Sequence, residues 1–224
     1  MVGTILITGA NRGLGLALAK EASRLGYRLI LHIRDKKNIN AFKNILKKDS
    51  VVVTGDLLSY ATILKIKEAV GDFLDILVNN AGIYSKKPLI DFENIGELSA
   101  IIDTNLTAPI LLTKELWSAL SVVKGMVINI NSVAGRQASE NESVYCASKF
   151  GLTGFSEAIA FEASRSGIGI YNIILGAMKT GMTMHRKDWN NLIDPDEAAK
   201  TVFSMTLNRD TLRVVELKIV RKNR

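Results

Sequence analysis

Tyr145 and Lys149 stand four residues apart in the run Tyr145-Cys146-Ala147-Ser148-Lys149. On a helix that spacing puts both side chains on one face, about one turn apart. A free tyrosine ionises near pH ~10, too high for a proton acceptor at neutral pH. A neighbouring ammonium favours the phenolate and brings that proton into the working range, so the pair can serve as general acid and base. The spacing also arises by chance as a surface pair, and by itself it carries little. Ser132 strengthens it, thirteen positions before Tyr145. The run Asn129-Ile130-Asn131-Ser132 reads as the end of an apolar strand, and parallel sheets gather ligands at the carboxyl ends of their strands. A hydroxyl placed there can donate to a substrate oxygen while the tyrosine moves a proton. Cys146 is read as a small buried residue packing its helix, with a nucleophile as the competing reading.

The elements that must position these groups alternate along the chain. Apolar, β-branched runs predict strands over Thr4–Thr8, Arg28–Ile33, Ser50–Thr54, Leu74–Asn79, Met126–Asn131, Gly169–Ile174 and Arg213–Ile219. Amphipathic stretches between them predict helices over Leu14–Leu25, Ala61–Val70, Thr104–Leu120 and Val144–Ser164. Alternation of this kind implies βαβ units and a parallel sheet covered on both faces. The expected fold is α/β: a Rossmann-type, doubly wound parallel sheet of about seven strands, with residues 1–224 forming one domain. Two stretches read as irregular, Ile83–Phe92 and Gly176–Ile193. The second is either a flap over a binding site or a long surface connection.

Between the first strand and the first helix lies Thr8-Gly9-Ala10-Asn11-Arg12-Gly13-Leu14-Gly15. Glycines allow a tight turn and a close backbone approach to a pyrophosphate, and the helix start offers unpaired N–H groups with a partial positive charge. A ligand-free glycine turn is the alternative. The strand–turn–helix placement argues against it.

The spacing TGxxxGxG resembles the phosphate loop of the short-chain dehydrogenase/reductase family, and further motifs follow in the family's order. Asp56, with Leu57 after it, matches the family's adenine-binding position. Asn79-Asn80-Ala81-Gly82 matches its NNAG element, which supports the sheet and lines the cofactor site. Asn105, Ser132, Tyr145 and Lys149 match its Asn-Ser-Tyr-Lys tetrad. The resemblance runs from the first strand to about Thr180.

What it implies is a carbonyl–alcohol oxidoreductase using a nicotinamide dinucleotide. Gly9, Asn11, Arg12, Gly13, Leu14 and Gly15 would hold the pyrophosphate. Asn80, Ala81 and Gly82 would line the cofactor, and Tyr145 and Lys149 would meet its ribose. Gly176, Met178 and Thr180 would contact the carboxamide. Ser132 would polarise the substrate carbonyl, Tyr145 would exchange the proton, Lys149 would stabilise tyrosinate, and Asn105 would hold a water linking the lysine to solvent. At the cofactor-choosing position an NAD enzyme carries an acid; here stand Ile33 and Arg34. A guanidinium forks onto a 2′-phosphate, and Arg12 can approach from the other side, so NADP(H) is expected over NAD(H). Asp35 is the counter-indication.

Two departures from the family pattern stand out. Leu175 replaces the usual proline ahead of Gly176, which removes a fixed φ and is expected to loosen the following flap. The chain finishes in Val220-Arg221-Lys222-Asn223-Arg224 where the family carries a glycine-rich segment. Family members pair as homodimers or homotetramers, so self-association is expected. Leu111, Leu112, Leu116 and Leu120 either serve that purpose or face the sheet.

Composition sets the outer limits. Apolar residues are 47% and charged residues 23% of the 224, ordinary for a globular chain rather than a disordered one. One cysteine and two histidines leave no zinc cluster and no internal disulfide. The first strand pattern begins at Val2, no signal peptide is expected, and no apolar run approaches the ~20 residues of a membrane span, so a cytoplasmic setting without membrane partners follows. The net charge of +7 is spread over residues such as Lys36, Lys37, Lys43, Lys47 and Lys48 on expected helix surfaces and over the tail from Lys218. Without a nucleic-acid-binding motif it reads as solvated surface, and no nucleic-acid partner is expected. The expected partner is a small carbonyl or alcohol, with a 3-oxoacyl thioester among the candidates. The competing class is a non-catalytic NADP(H)-binding sensor, and such proteins commonly lose the tyrosine or the lysine.

Overall fold

The computed structural model describes residues 3–36, 39–47, 49–207 and 215–222, with residue 41 described by its backbone alone. Lys37, Lys48, Val2 and the first part of the expected last strand lie outside the described residues. Seven strands form one parallel sheet: β1 (Thr4–Thr8), β2 (Arg28–Ile33), β3 (Val51–Thr54), β4 (Ile76–Asn79), β5 (Met126–Ser132), β6 (Gly169–Leu175) and β7 (Glu216–Ile219). Their order is β3-β2-β1-β4-β5-β6-β7. The chain winds outward from β1 to β3, then returns to the other side at β4, so a crevice opens at the carboxyl ends of β1 and β4.

The expected helices appear as α1 (Gly13–Arg24), α2 (Tyr60–Val70) and α6 (Ser143–Arg165). The single helix expected over Thr104–Leu120 is instead a composite path: α3 (Ile95–Ile102), a π-helical turn over Asp103–Thr107, α4 (Ala108–Glu115) and α5 (Trp117–Val122). The portion from Ile95 to Glu115 runs 21 residues and is apolar enough to match a membrane-crossing segment in length and composition, against the expectation that nothing approaches that length. Asp103 and Asn105 interrupt the apolar run in the sequence and conceal it. Ala108 and Leu112 bury its core-facing side.

The final helix among the described residues, α7 (Pro195–Leu207), is not among the expected ones, although its start signals are local. Asp194 accepts from the N–H groups of Asp196 and Glu197 at 2.8 and 3.3 Å, Pro195 opens the helix, and two acids occupy the first turn. The lysines at 36, 43 and 47 stand on turns around a short 3-10 segment, Ile39–Phe42, rather than on an α-helix.

The two sheet faces bury separate cores. Ile5, Ile7, Leu29, Leu31 and Ile128 pack under α1 and α7. Leu6, Ile30, Leu77 and Val127 pack under α2, α4, α5 and α6. Leu112, Leu116 and Leu120 belong to that second core and Leu111 packs against it, so these leucines face the sheet. Cys146 is buried.

One feature of the sheet bears directly on chemistry. Polar residues occupy aligned positions on neighbouring strands: His32 beside Thr8, Asn79 beside Asn129, Asn129 beside Asn172, and Asn172 beside Glu216. Buried amides are costly unless paired, and of these amides Asn79 Oδ1 is the atom left without a partner among the described residues. Asn79 Nδ2 donates to Asn129 Oδ1 at 2.8 Å, and Asn129 Nδ2 to Ser156 Oγ on α6 at 2.9 Å. They tie β4 and β5 to α6, the helix that carries Tyr145.

Candidate active site

The phosphate loop is shaped by close approach. Gly9 and Gly13 hold left-handed backbone, with φ of 64° and 54°. A Cβ on Gly15 would sit 2.2 Å from the Gly9 carbonyl oxygen and 2.6 Å from Asn80 Nδ2, so α1 can lie this close to β1 only with glycine there. Asn80 Nδ2 donates to the carbonyls of Thr8 and Gly9 at 2.7 and 3.2 Å. Thr8 Oγ1 accepts from the N–H groups of Asn80 and Ala81, both at 3.0 Å. Residues 71 to 73 positions apart are thereby locked into one edge, with Gly82 following. Arg12 caps α1 without a side-chain bond, and no acid occupies the first turn. Leu14 is buried beneath the loop. An anion would meet free N–H groups and a positive helix end here.

Arg12 and Arg34 are both exposed and form no ion pair among the described residues. Ala10 N–H donates to the His32 carbonyl at 3.0 Å, which brings the loop carrying Arg12 against the end of β2, two residues before Arg34. Asp35 is engaged in interactions of its own. Past β3, Asp56 is exposed and accepts from Leu58 N–H at 2.9 Å, while Leu57 is buried. His32 lies beneath that turn, with Nε2 2.8 Å from the Gly55 carbonyl. A carbonyl only accepts, so Nε2 carries the proton, and burial lowers the ring's proton affinity.

Ser132 is the last residue of β5, and its Oγ accepts from Ala134 N–H at 3.2 Å. Its hydroxyl interacts with the Tyr145 phenol and favours the phenolate. Burial outweighs that contact and pushes the Tyr145 pKa up to about 12. The expected lowering by Lys149 does not enter that shift. Lys149 Nζ donates to the Ile130 carbonyl at 3.0 Å. The lysine is only 6% exposed, and burial lowers its own pKa to about 8. One turn of helix aligned the two residues, but desolvation governs both of them.

Asn105 is fully buried in the π-helical turn. Its Oδ1 accepts from Ile83 N–H at 2.7 Å, and its Nδ2 donates to the Ile83 carbonyl at 2.9 Å and to Ser148 Oγ at 3.0 Å. The side chain is thus committed to tying the loop after β4 to α6.

The segment after β6 lacks the family's proline, but it is tied down. Ile193 N–H donates to the Ala177 carbonyl at 3.1 Å and Lys179 N–H to the Ile193 carbonyl at 2.8 Å, which closes its base. Further out, Asp188 pairs with Arg186 at 2.9 Å and with Arg221 at 2.6 Å, beyond β7. Gly176 N–H donates to the Ile219 carbonyl at 2.9 Å. The Met178 carbonyl accepts from Thr183 Oγ1 and from Thr180 N–H, so it is spent within the turn. Thr180 reaches over the phosphate loop, with its Cγ2 3.1 Å from where a Gly13 Cβ would lie. Of the two readings of this stretch, the contact with Gly13 favours the flap.

Two residues beyond the expected set, Tyr84 and Glu142, stand at the site. The Tyr84 ring meets the Tyr145 ring edge-on, with centroids 5.1 Å apart at 89°. Tyr84 Oη donates to Glu142 Oε1 at 2.7 Å, and burial followed by this carboxylate raises the Tyr84 pKa. Glu142 lies three residues before Tyr145, a helical spacing that could have revealed it. Tyr84 comes from a distant loop, which no local spacing encodes.

A family model described as short chain dehydrogenase matches residues 3–191. The chain is 36% identical over 183 residues to a 3-oxoacyl-(acyl-carrier-protein) reductase of Haemophilus influenzae, covering 80% of this chain and 75% of that protein. The reductase of the same name from Rickettsia bellii is 32% identical over 181 residues, covering 80% and 74%. Among solved structures, a closed serine dehydrogenase complexed with NADP+ superposes with a TM-score of 0.88 at 20% identity, covering 99% of this chain and 96% of that one. An alcohol dehydrogenase from Thermococcus sibiricus complexed with 5-hydroxy-NADP gives 0.87 at 22%, covering 99% and 97%. At those identities the two structures speak to the fold alone.

Proposed function

The chain belongs to the short-chain dehydrogenase family, and from that premise we propose that it is an NADP(H)-dependent reductase of a ketone-bearing small molecule, with a 3-oxoacyl thioester as the leading substrate class. The observation that carries this reading is the convergence of Ser132, Tyr145 and buried Lys149 at the carboxyl edge of the sheet, beside a glycine loop with an uncapped helix start. The 3-oxoacyl thioester is suggested by the names of the two reductases above.

The loop fits a dinucleotide, because the left-handed Gly9 and Gly13 and the close approach at Gly15 make a tight turn into a helix whose start has no side-chain cap. Gly9, Asn11, Arg12, Gly13, Leu14 and Gly15 would hold its pyrophosphate, and Arg12 and Arg34 its 2′-phosphate. Asp56 and Leu57 would flank the adenine, with Asn80, Ala81 and Gly82 along the next strand end. Tyr145 and Lys149 would meet the ribose, and Gly176, Met178 and Thr180 the carboxamide. When bound, the cofactor supplies the hydride.

The chain's own residues do the rest. Ser132 donates a hydrogen bond to the substrate carbonyl oxygen, and Tyr145 gives that oxygen its proton. With its pKa raised, Tyr145 is protonated at neutral pH and ready for the reductive direction. Lys149 offers positive charge to the resulting tyrosinate, and Asn105 is a positioning residue that holds the Ile83 loop against α6. Exposed Ile95 and Phe161, on α3 and α6, supply apolar surface for the homo-oligomer that forms part of this reading, as does a cytoplasmic setting.

The test is turnover on a panel of ketones, aldehydes and 3-oxoacyl thioesters with NADPH and with NADH. Reduction of the thioester at NADPH's expense supports the reading. Binding of NADPH with no turnover on the panel would replace it with a cofactor-binding sensor. The pH dependence adds a second check. Lys149 carries its charge below about pH 8 and loses it above, while Tyr145 stays protonated throughout that range. The kcat/KM for NADPH, which reports the free enzyme, is therefore expected to fall above about pH 8. A profile flat to pH 10 would count against this role for the lysine.

A further inference from the structure

Asn131, immediately before Ser132, is only 3% exposed and has no part in the chemistry above. Its amide nevertheless meets several key places at once. Oδ1 accepts from Ser132 N–H at 2.8 Å. Nδ2 faces the Lys149 carbonyl at 3.3 Å, Thr153 Oγ1 at 2.8 Å and Asn172 Oδ1 at 3.0 Å. The neighbours dictate which end is which: an N–H lies on one side and oxygens on the other, so a flipped amide would set donor against donor. Packing closes the junction further. A Cβ on Gly135, in the turn after Ser132, would lie 2.7 Å from Asn131 Oδ1 and 2.8 Å from the Lys149 carbonyl.

One planar, rigid group therefore joins the backbone of Ser132 to the backbone of Lys149, beside two other links between that strand and helix, Lys149 Nζ to the Ile130 carbonyl and Asn129 Nδ2 to Ser156 Oγ. The junction is anchored from behind. Asn172 Nδ2 donates to Glu216 Oε2 at 3.2 Å. Glu216 is held by Arg136 at 2.5 Å, and Arg136 also pairs with Glu157 of α6 at 2.6 Å. Displacement of Asn131 would shift Ser132 relative to Tyr145 without touching the phosphate loop.

We propose that Asn131 is a positioning residue that sets the spacing of Ser132 from the Tyr145–Lys149 face of α6. This rests on the reading of that centre as the site of carbonyl reduction. A buried amide that merely staples helix to sheet would also be expected to lower stability when removed, so the test must separate the two roles.

Asn131→Ala and Asn131→Ser are compared with the parent, with turnover expressed per NADPH-binding site so that loss of folded protein cancels. Asn131→Ala is expected to lower kcat by about 100-fold, the scale of a displacement near 1 Å at a reacting centre, with little change in NADPH affinity. Asn131→Ser keeps an acceptor near Ser132 N–H and should recover part of the loss. The Tyr145 titration in the NADP+ complex, followed by phenolate absorbance against a Tyr145→Phe blank, should move in Asn131→Ala. An unchanged kcat per site together with an unmoved titration, while Tm falls, would overturn the proposal. If the parent turns over no carbonyl, the reductase reading fails, but the titration still decides on Asn131.

Discussion

Replacing Tyr145 by phenylalanine is expected to cut carbonyl reduction by about a thousandfold or more, within the range assigned to a positioned general acid, while leaving NADPH binding nearly intact. The two halves have separate causes. Phenylalanine keeps the ring that Tyr84 meets edge-on, so packing around the site is preserved. What disappears is the one hydroxyl that interacts with Ser132 and can protonate the substrate oxygen. The phosphate loop rests on Gly9, Gly15, Asn80 and Thr8 and is independent of that hydroxyl. Single-turnover kinetics together with the quenching or enhancement of NADPH fluorescence separates the two. Turnover within tenfold of the parent would remove Tyr145 from its role.

Changing Arg34 to aspartate is expected to reverse the cofactor preference. Arg34 follows β2 on the exposed rim and forms no ion pair among the described residues, so its guanidinium is available to a 2′-phosphate. A hydrogen bond to a charged group is worth about 1.5–3 kcal/mol. The aspartate would both remove this bond and repel the phosphate, and it would accept from the ribose hydroxyls of NADH. The ratio of kcat/KM for NADPH to that for NADH should fall by about a thousandfold in total. A ratio that moves less than tenfold would assign the preference to Arg12 or elsewhere.

The parts of the site legible in the sequence are those whose geometry is local. The turn from Thr8 to Gly15 joins consecutive elements, and the glycines at 9, 13 and 15 are needed because backbone crowds backbone there. Tyr145 and Lys149 share a helix face by simple periodicity, and α6 spans both. Strand runs such as β1 and β2 emerged at their expected bounds because burial on both faces demands continuous apolar residues. The single helix expected over Thr104–Leu120 differs from the observed path because the π-helical turn around Asn105 leaves no mark in apolar periodicity. The start of α7 had a full set of capping signals in Asp194, Pro195, Asp196 and Glu197, and these were available to be read.

What only the tertiary structure decided is the electrostatic state of the centre. Spacing placed an ammonium near a phenol and implied a lowered tyrosine pKa. In the fold, burial dominates: Tyr145 rises to about 12 and Lys149 falls to about 8, with its proton pointed at Ile130. The same holds for Asn131, whose partners lie 1, 18, 22 and 41 residues away, and for Tyr84, 58 residues from Glu142. Residue types and local spacing specify which groups can do the chemistry. How strongly each holds its proton depends on what covers it, and that cover is assembled from segments far apart in the chain.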